Sequence, residues 1–136
     1  MNKRYVEKIT KKIIIPIYPC NLYIVISPPT DLMEIRNSAY FVDRFGSEPR
    51  EFLGLCSRNG SNFGLFLPNY ICYNVIAHEA FHLTQRILER FNVPFENEPA
   101  ALLNGYIVEL ILEIYKEKEV TDIRSMQEIF NPGNAV

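Results

Sequence analysis

Both histidines of this chain lie in one short segment, His78-Glu79-Ala80-Phe81-His82. In a helix, side chains four positions apart point in nearly the same direction, because one turn takes about 3.6 residues. His78 and His82 can then offer their imidazoles to one metal ion, as in zinc sites. Glu79 lies about 100° further round the helix, so its carboxylate stands beside the ion, where a base can take a proton from a zinc-bound water.

The alternative is that both histidines are ordinary core residues with hydrogen-bond partners. The apolar run Val75-Ile76-Ala77 precedes the motif, so we expect an internal helix, in which two imidazoles without partners would be costly. The use of both histidines of the chain in one helical turn, with a glutamate between them, favours a metal site.

A catalytic zinc site needs a third protein ligand, with water in the fourth position. No third histidine exists, and thiolates are more usual in structural sites, so the candidates are carboxylates. Glu98 is the first choice, because it begins a second predicted helix after a break in the pattern. Glu96 is the second choice, since it lies just outside that helix. The alternative for Glu98 is an acid favoured by the dipole at a helix N-terminus.

The motif and the later segment Asn97-Glu98-Pro99-Ala100-Ala101 together resemble the gluzincin clan of zinc metallopeptidases, whose second motif is an Asn-Glu-x-x-Ala-like helix. In size the chain is similar to the minimal gluzincins and to short, often phage-encoded metallopeptidase-like proteins, over residues 63–113. The resemblance implies a hydrolase in which His78, His82 and Glu98 bind zinc and Glu79 is the catalytic base. It also implies that residues 63–67 form an edge strand that pairs with an extended peptide substrate; an ordinary hairpin strand is the alternative.

The chain departs from the larger members of that clan at two places. Thermolysin-like enzymes have an aspartate four residues after the glutamate ligand, where this chain has Leu102. They also stabilise the oxyanion with histidine or tyrosine; here Tyr106 and Tyr73 are candidates, although packing is the more common role of a tyrosine. These departures motivate an alternative function, a non-catalytic, zinc-stabilised protein-interaction domain that retains the metallopeptidase scaffold. Cys72 lies on a different helix face from His78, so we expect it to be a buried thiol.

The elements that position these residues are predicted to form one α+β domain over residues 1–136, with a small, mostly antiparallel sheet packed on the motif helix and the glutamate helix. β-Branched and aromatic runs predict strands at 13–15, 22–26, 52–56 and 63–67, the last two joined as a hairpin around Asn59-Gly60. Helical patterns cover residues 31–38, 69–90, 98–117 and 121–130, with Asn97 as a cap.

Composition and charge exclude several classes of protein. The 136 residues include 48% hydrophobic residues and carry a formal net charge of -2, which argues against disorder and against sequence-independent nucleic-acid binding. An odd number of cysteines, Cys20, Cys56 and Cys72, without C-x-x-C spacing is typical of a reducing compartment. Residues 13–27 are too short and too interrupted by proline to span a membrane. We therefore expect a cytoplasmic protein with a peptide or protein substrate, no nucleic acid and no membrane partner; the sequence predicts no oligomeric state.

Overall fold

Four strands form a single mixed sheet in this computed structural model, which describes residues 10–36, 38, 55–59 and 62–130. The strands are β1 (Lys11–Ile14), β2 (Asn21–Ser27), β3 (Leu55–Asn59) and β4 (Asn62–Pro68), and their order across the sheet is β1-β2-β4-β3. The outer pairs, β1 with β2 and β3 with β4, are antiparallel, whereas the central strands β2 and β4 are parallel. The predicted α+β class is confirmed.

The prediction that residues 63–67 form an edge strand is wrong. These residues lie in β4, which pairs with β2 on one side and with β3 on the other, so its backbone has no free edge for a peptide. The strand is buried from Phe63 to Pro68 without polar alternation, as is usual for a strand covered on both faces. The hairpin is confirmed, and β3 is its outer strand. Residues 52–54 of the predicted strand lie outside the described residues.

Four helices complete the described fold: α1 (Pro29–Arg36), α2 (Tyr73–Arg90), α3 (Asn97–Glu117) and α4 (Met126–Phe130). Asn92, with a φ of 55°, follows the end of α2, in the left-handed conformation that asparagine tolerates after a helix. Pro99 lies in the first turn of α3, where its missing N–H is not needed. The prediction that Asn97 caps α3 is wrong, because Asn97 is the first helical residue. The cap position is Glu96, whose side chain makes no capping hydrogen bond.

Two helices are shorter than their sequence patterns predict, and one backbone pairing explains both. The N–H of Ile71 donates to the carbonyl of Asp122 (2.7 Å), and the N–H of Arg124 donates to the carbonyl of Ile71 (2.8 Å). Ile71 and Ile123 thereby form a parallel bridge, which holds both segments extended. As a result, α2 begins only at Tyr73, and the last helix is confined to its final turn.

The core lies between the sheet and the two long helices. Leu22, Ile24 and Phe63 on one face of the sheet belong to the same buried cluster as the inward stripes of α2 and α3. Tyr23 and Val25 alternate with them and are also buried, on the face that α1 covers. The sheet is thus a middle layer that supports α2 from beneath. No helix in the described ranges combines the length and the apolar character that crossing a bilayer requires.

Candidate metal centre

The motif lies in the first half of α2, at the edge of its buried stripe. The stripe repeats every three or four residues, as in a helix with one face on a core, and its members are Val75, Ile76, Glu79, Ala80, Leu83, Thr84, Ile87 and Leu88. His78 lies outside this stripe and is exposed, and His82 is half-buried. The sheet therefore fixes the helix, while both imidazoles stay accessible to a ligand from solvent.

The two imidazoles converge. The Nε2 atoms of His78 and His82 are 3.1 Å apart, and the ring centroids are 4.6 Å apart with the rings edge to face. A tetrahedral zinc ion with Zn–N bonds of about 2.0–2.1 Å holds two nitrogens about 3.3 Å apart. The same separation permits a hydrogen bond when one ring carries a proton on Nε2 and the other does not. The donor set therefore fits a shared zinc ion with little rearrangement of either side chain.

Glu79 occupies a different environment from the histidines that flank it. Its side chain is 8% exposed, and its Oε1 lies 3.8 Å from Nε2 of His78, whose side chain is 64% exposed. Glu79 faces the core side of α2, where glutamate is rarely found because charged side chains are seldom fully buried. The carboxylate lies beside the paired nitrogens, which is the position that the sequence predicts for a base.

The structure does not bring Glu98 to the histidine pair. Within the described ranges, no three His, Cys, Asp or Glu side chains are grouped closely enough to hold a metal ion. The packing of α2 against α3 accounts for the separation between Glu98 and the histidines. Near the histidines, α2 contacts a later part of α3: Oγ1 of Thr84, two residues beyond His82, lies 3.3 Å from Oδ1 of Asn104. Asn104 lies six residues beyond Glu98, a distance of about 9 Å along a helix axis. Ligation by Glu98, or by the neighbouring Glu96, stays a prediction.

Glu98 instead lines a cavity of about 500 Å³ between the first half of α3 and the connection from β1 to β2. Leu102, where the larger enzymes have an aspartate, lines the same cavity and is 71% exposed. Tyr106 also lines it, and Tyr73 is the exposed first residue of α2. An oxyanion-stabilising role for either tyrosine stays a prediction.

An aromatic pair next to the histidines was not predicted. Phe81, inside the motif, is 48% exposed, and its ring packs edge to face on Phe95 at 5.3 Å and on His82 at 6.1 Å. Phe95 lies in the turn between α2 and α3, where no periodic pattern indicates its orientation. Cys72 is buried at the N-terminal cap position of α2, as expected for a thiol that is not a ligand.

Comparison of the chain with protein-family models, with curated proteins and with solved structures gives no match. The similarity to gluzincins therefore depends on the two short motifs alone.

Proposed function

We propose that the protein is a zinc-dependent peptidase that hydrolyses peptide bonds, with His78, His82 and Glu98 as zinc ligands and Glu79 as the general base. The observation that supports this most is the 3.1 Å separation of the two Nε2 atoms, beside a buried carboxylate on the same helix. Two converging imidazoles and an adjacent acid are the groups that zinc-assisted hydrolysis needs.

Zinc, when bound, supplies Lewis-acid polarisation of a peptide carbonyl and lowers the pKa of a coordinated water towards about 7. Glu79 accepts a proton from the attacking water on Oε1 and passes it to the leaving amine. Its burial favours this role, because a carboxylate with little access to solvent is held in one place beside the reaction.

Glu98 completes the ligand set in this proposal. Its carboxylate is exposed and makes no hydrogen bond or ion pair with any residue that the structure describes. Binding a metal therefore does not require the loss of an existing partner. The separation between Glu98 and the histidines makes the third ligand the part of the proposal that most needs a test.

A second candidate function is a zinc-stabilised protein-interaction domain without catalysis. The observation that favours it is Leu102, which is 71% exposed at a position where the larger enzymes place an acid that orients a zinc histidine. In such a domain zinc stabilises the packing of α2 against α3, and exposed apolar side chains such as Leu102 contact a partner protein.

The variant Glu79→Gln separates the two functions, because it keeps the volume of the side chain and removes the base. We expect peptide cleavage to fall about 10²- to 10⁴-fold with bound zinc unchanged, measured with a fluorogenic peptide library and by metal analysis. The matched control is Glu89→Gln, an exposed acid on the same helix, which should retain full activity. If the unsubstituted protein holds zinc and cleaves no peptide in the library, the peptidase is excluded and the interaction domain is favoured.

A further inference from the structure

The cavity beside α3 has the size and lining of a ligand site. Its volume, about 500 Å³, falls within the usual range for small-molecule and side-chain pockets, about 300–1,000 Å³. Its walls combine residues from the β1–β2 connection with one face of α3, and these residues are Ile15, Pro16, Ile17, Tyr18, Glu98, Pro99, Leu102, Leu103 and Tyr106. Glu98 is the one charged residue among them.

The mouth of the cavity is unusually apolar for a surface. Ile17 is 79% exposed and Leu102 is 71% exposed, and both line the cavity. Large aliphatic side chains that line one concave site are a feature of binding surfaces, whereas single exposed ones are common everywhere. Because they extend beyond the cavity into solvent, a ligand that covers both must be larger than a small amine.

The negative charge in the cavity favours a ligand that carries a positive charge. Glu98 brings a carboxylate that has no protein partner among the described residues, and none of the described residues that line the cavity is a lysine or arginine that could neutralise it. A cationic group at the end of an apolar chain would meet both the carboxylate and the apolar wall, as the side chains of lysine and arginine do. An acidic ligand would place like charges together.

We propose that this cavity binds a polypeptide segment through a lysine or arginine side chain flanked by apolar residues. The aliphatic stem lies against Leu102 and Leu103, the cationic end reaches Glu98, and the flanking apolar residues cover Ile17. The contact with Glu98 is exposed to solvent, so it contributes mainly selectivity, and the apolar contacts contribute most of the affinity. This binding belongs to the metal-free protein, because it uses the Glu98 carboxylate where the structure places it. Zinc held by His78, His82 and Glu98 would compete with the peptide for that carboxylate.

The test is fluorescence anisotropy with three labelled peptides, acetyl-Ala-Leu-X-Leu-Ala-amide, in which X is lysine, norleucine or glutamate. A chelator is present, so that no metal ion competes for Glu98. We expect the lysine peptide to bind about two- to fivefold more tightly than the norleucine peptide, as for an exposed ion pair. The glutamate peptide should bind most weakly.

Substitutions inside and outside the cavity test whether the peptide binds there. Leu102→Lys should weaken the lysine peptide at least about tenfold, and the fold should tolerate it because the side chain is mostly in solvent. Glu98→Gln should abolish the preference for lysine over norleucine, whereas Glu109→Gln, an exposed acid on α3 outside the cavity, should leave it unchanged. Circular dichroism of each variant verifies that it is folded.

Three results would overturn the inference: a glutamate peptide that binds as tightly as the lysine peptide, unchanged binding by Leu102→Lys, or full competition by octylamine at the same concentration as the peptide. The last result would mean that a small amphiphilic amine, and not a polypeptide, occupies the cavity. Failure of the peptidase proposal leaves all three measurements interpretable, because none of them requires zinc or cleavage.

Discussion

The histidine pair and the start of α3 are positioned in different ways. His78 and His82 lie one turn apart on the same helix, and their Nε2 atoms converge to 3.1 Å. Glu98 belongs to another helix, and it lies on a cavity wall and not with the histidines. The difference teaches that ligands on one helix are set by local geometry, whereas a ligand on a second helix depends on how the two helices pack.

The largest expected effect is the loss of zinc affinity when one histidine of the pair is replaced. His82→Ala removes one of two converging nitrogens, so we expect zinc affinity to fall more than about 100-fold, measured by competition with a chromophoric chelator. Asn74→Ala is the control, because Asn74 is an exposed residue at the start of the same helix. Equal zinc affinity in the two variants would show that the histidines do not hold the metal.

A smaller effect on zinc affinity is expected from substitution of Glu98 at the start of α3. If Glu98 turns towards the metal, Glu98→Gln should lower zinc affinity about 10- to 100-fold, since a neutral amide is a poor zinc ligand. Glu109→Gln, on the same helix, should leave the affinity unchanged. If the two variants behave alike, Glu98 stays on the cavity wall when zinc binds, and the third ligand must be sought elsewhere.

The smallest effect concerns how α3 is held at the end far from Glu98. The buried hydroxyl of Tyr115 donates to the carbonyl of Pro68 at 2.7 Å, and burial raises the pKa of this phenol. Tyr115→Phe leaves that carbonyl without its donor, so we expect the free energy of unfolding to fall by about 1–2 kcal/mol in urea denaturation. Tyr106→Phe, at an exposed tyrosine on the same helix, should change it by less than about 0.5 kcal/mol. Similar losses in both variants would contradict the assignment of the Tyr115–Pro68 hydrogen bond as a stabilising contact of α3.

Sequence reasoning succeeded where the pattern is local. The α+β class, the long helices and the hairpin follow from periodicity, turn residues and proline positions within single segments. The pairing of His78 with His82 is of the same kind, because a helix alone brings residues four positions apart together. The burial of Glu79 was not predicted, although this residue belongs to the same helical stripe as the buried apolar side chains of α2.

The predictions from sequence were wrong or incomplete where the structure depends on contacts between segments that are far apart in the chain. The central place of β4 depends on its parallel pairing with β2, which the pattern of residues within either strand does not predict. The late start of α2, at Tyr73, depends on the pairing of Ile71 with Ile123, about fifty residues later in the chain. The position of Glu98 depends in the same way on the contact between Thr84 and Asn104, which a pattern along one helix does not reveal.

The most direct test of the account is the coordination of the metal. X-ray absorption at the zinc edge of the purified protein, with metal analysis of the same sample, counts the imidazole ligands. We predict about one zinc per chain with two imidazole nitrogens at about 2.0–2.1 Å and the remaining ligands oxygen. A protein without stoichiometric zinc after reconstitution, or zinc bound mainly by sulfur, would contradict the assignment of His78 and His82 as the centre of the site.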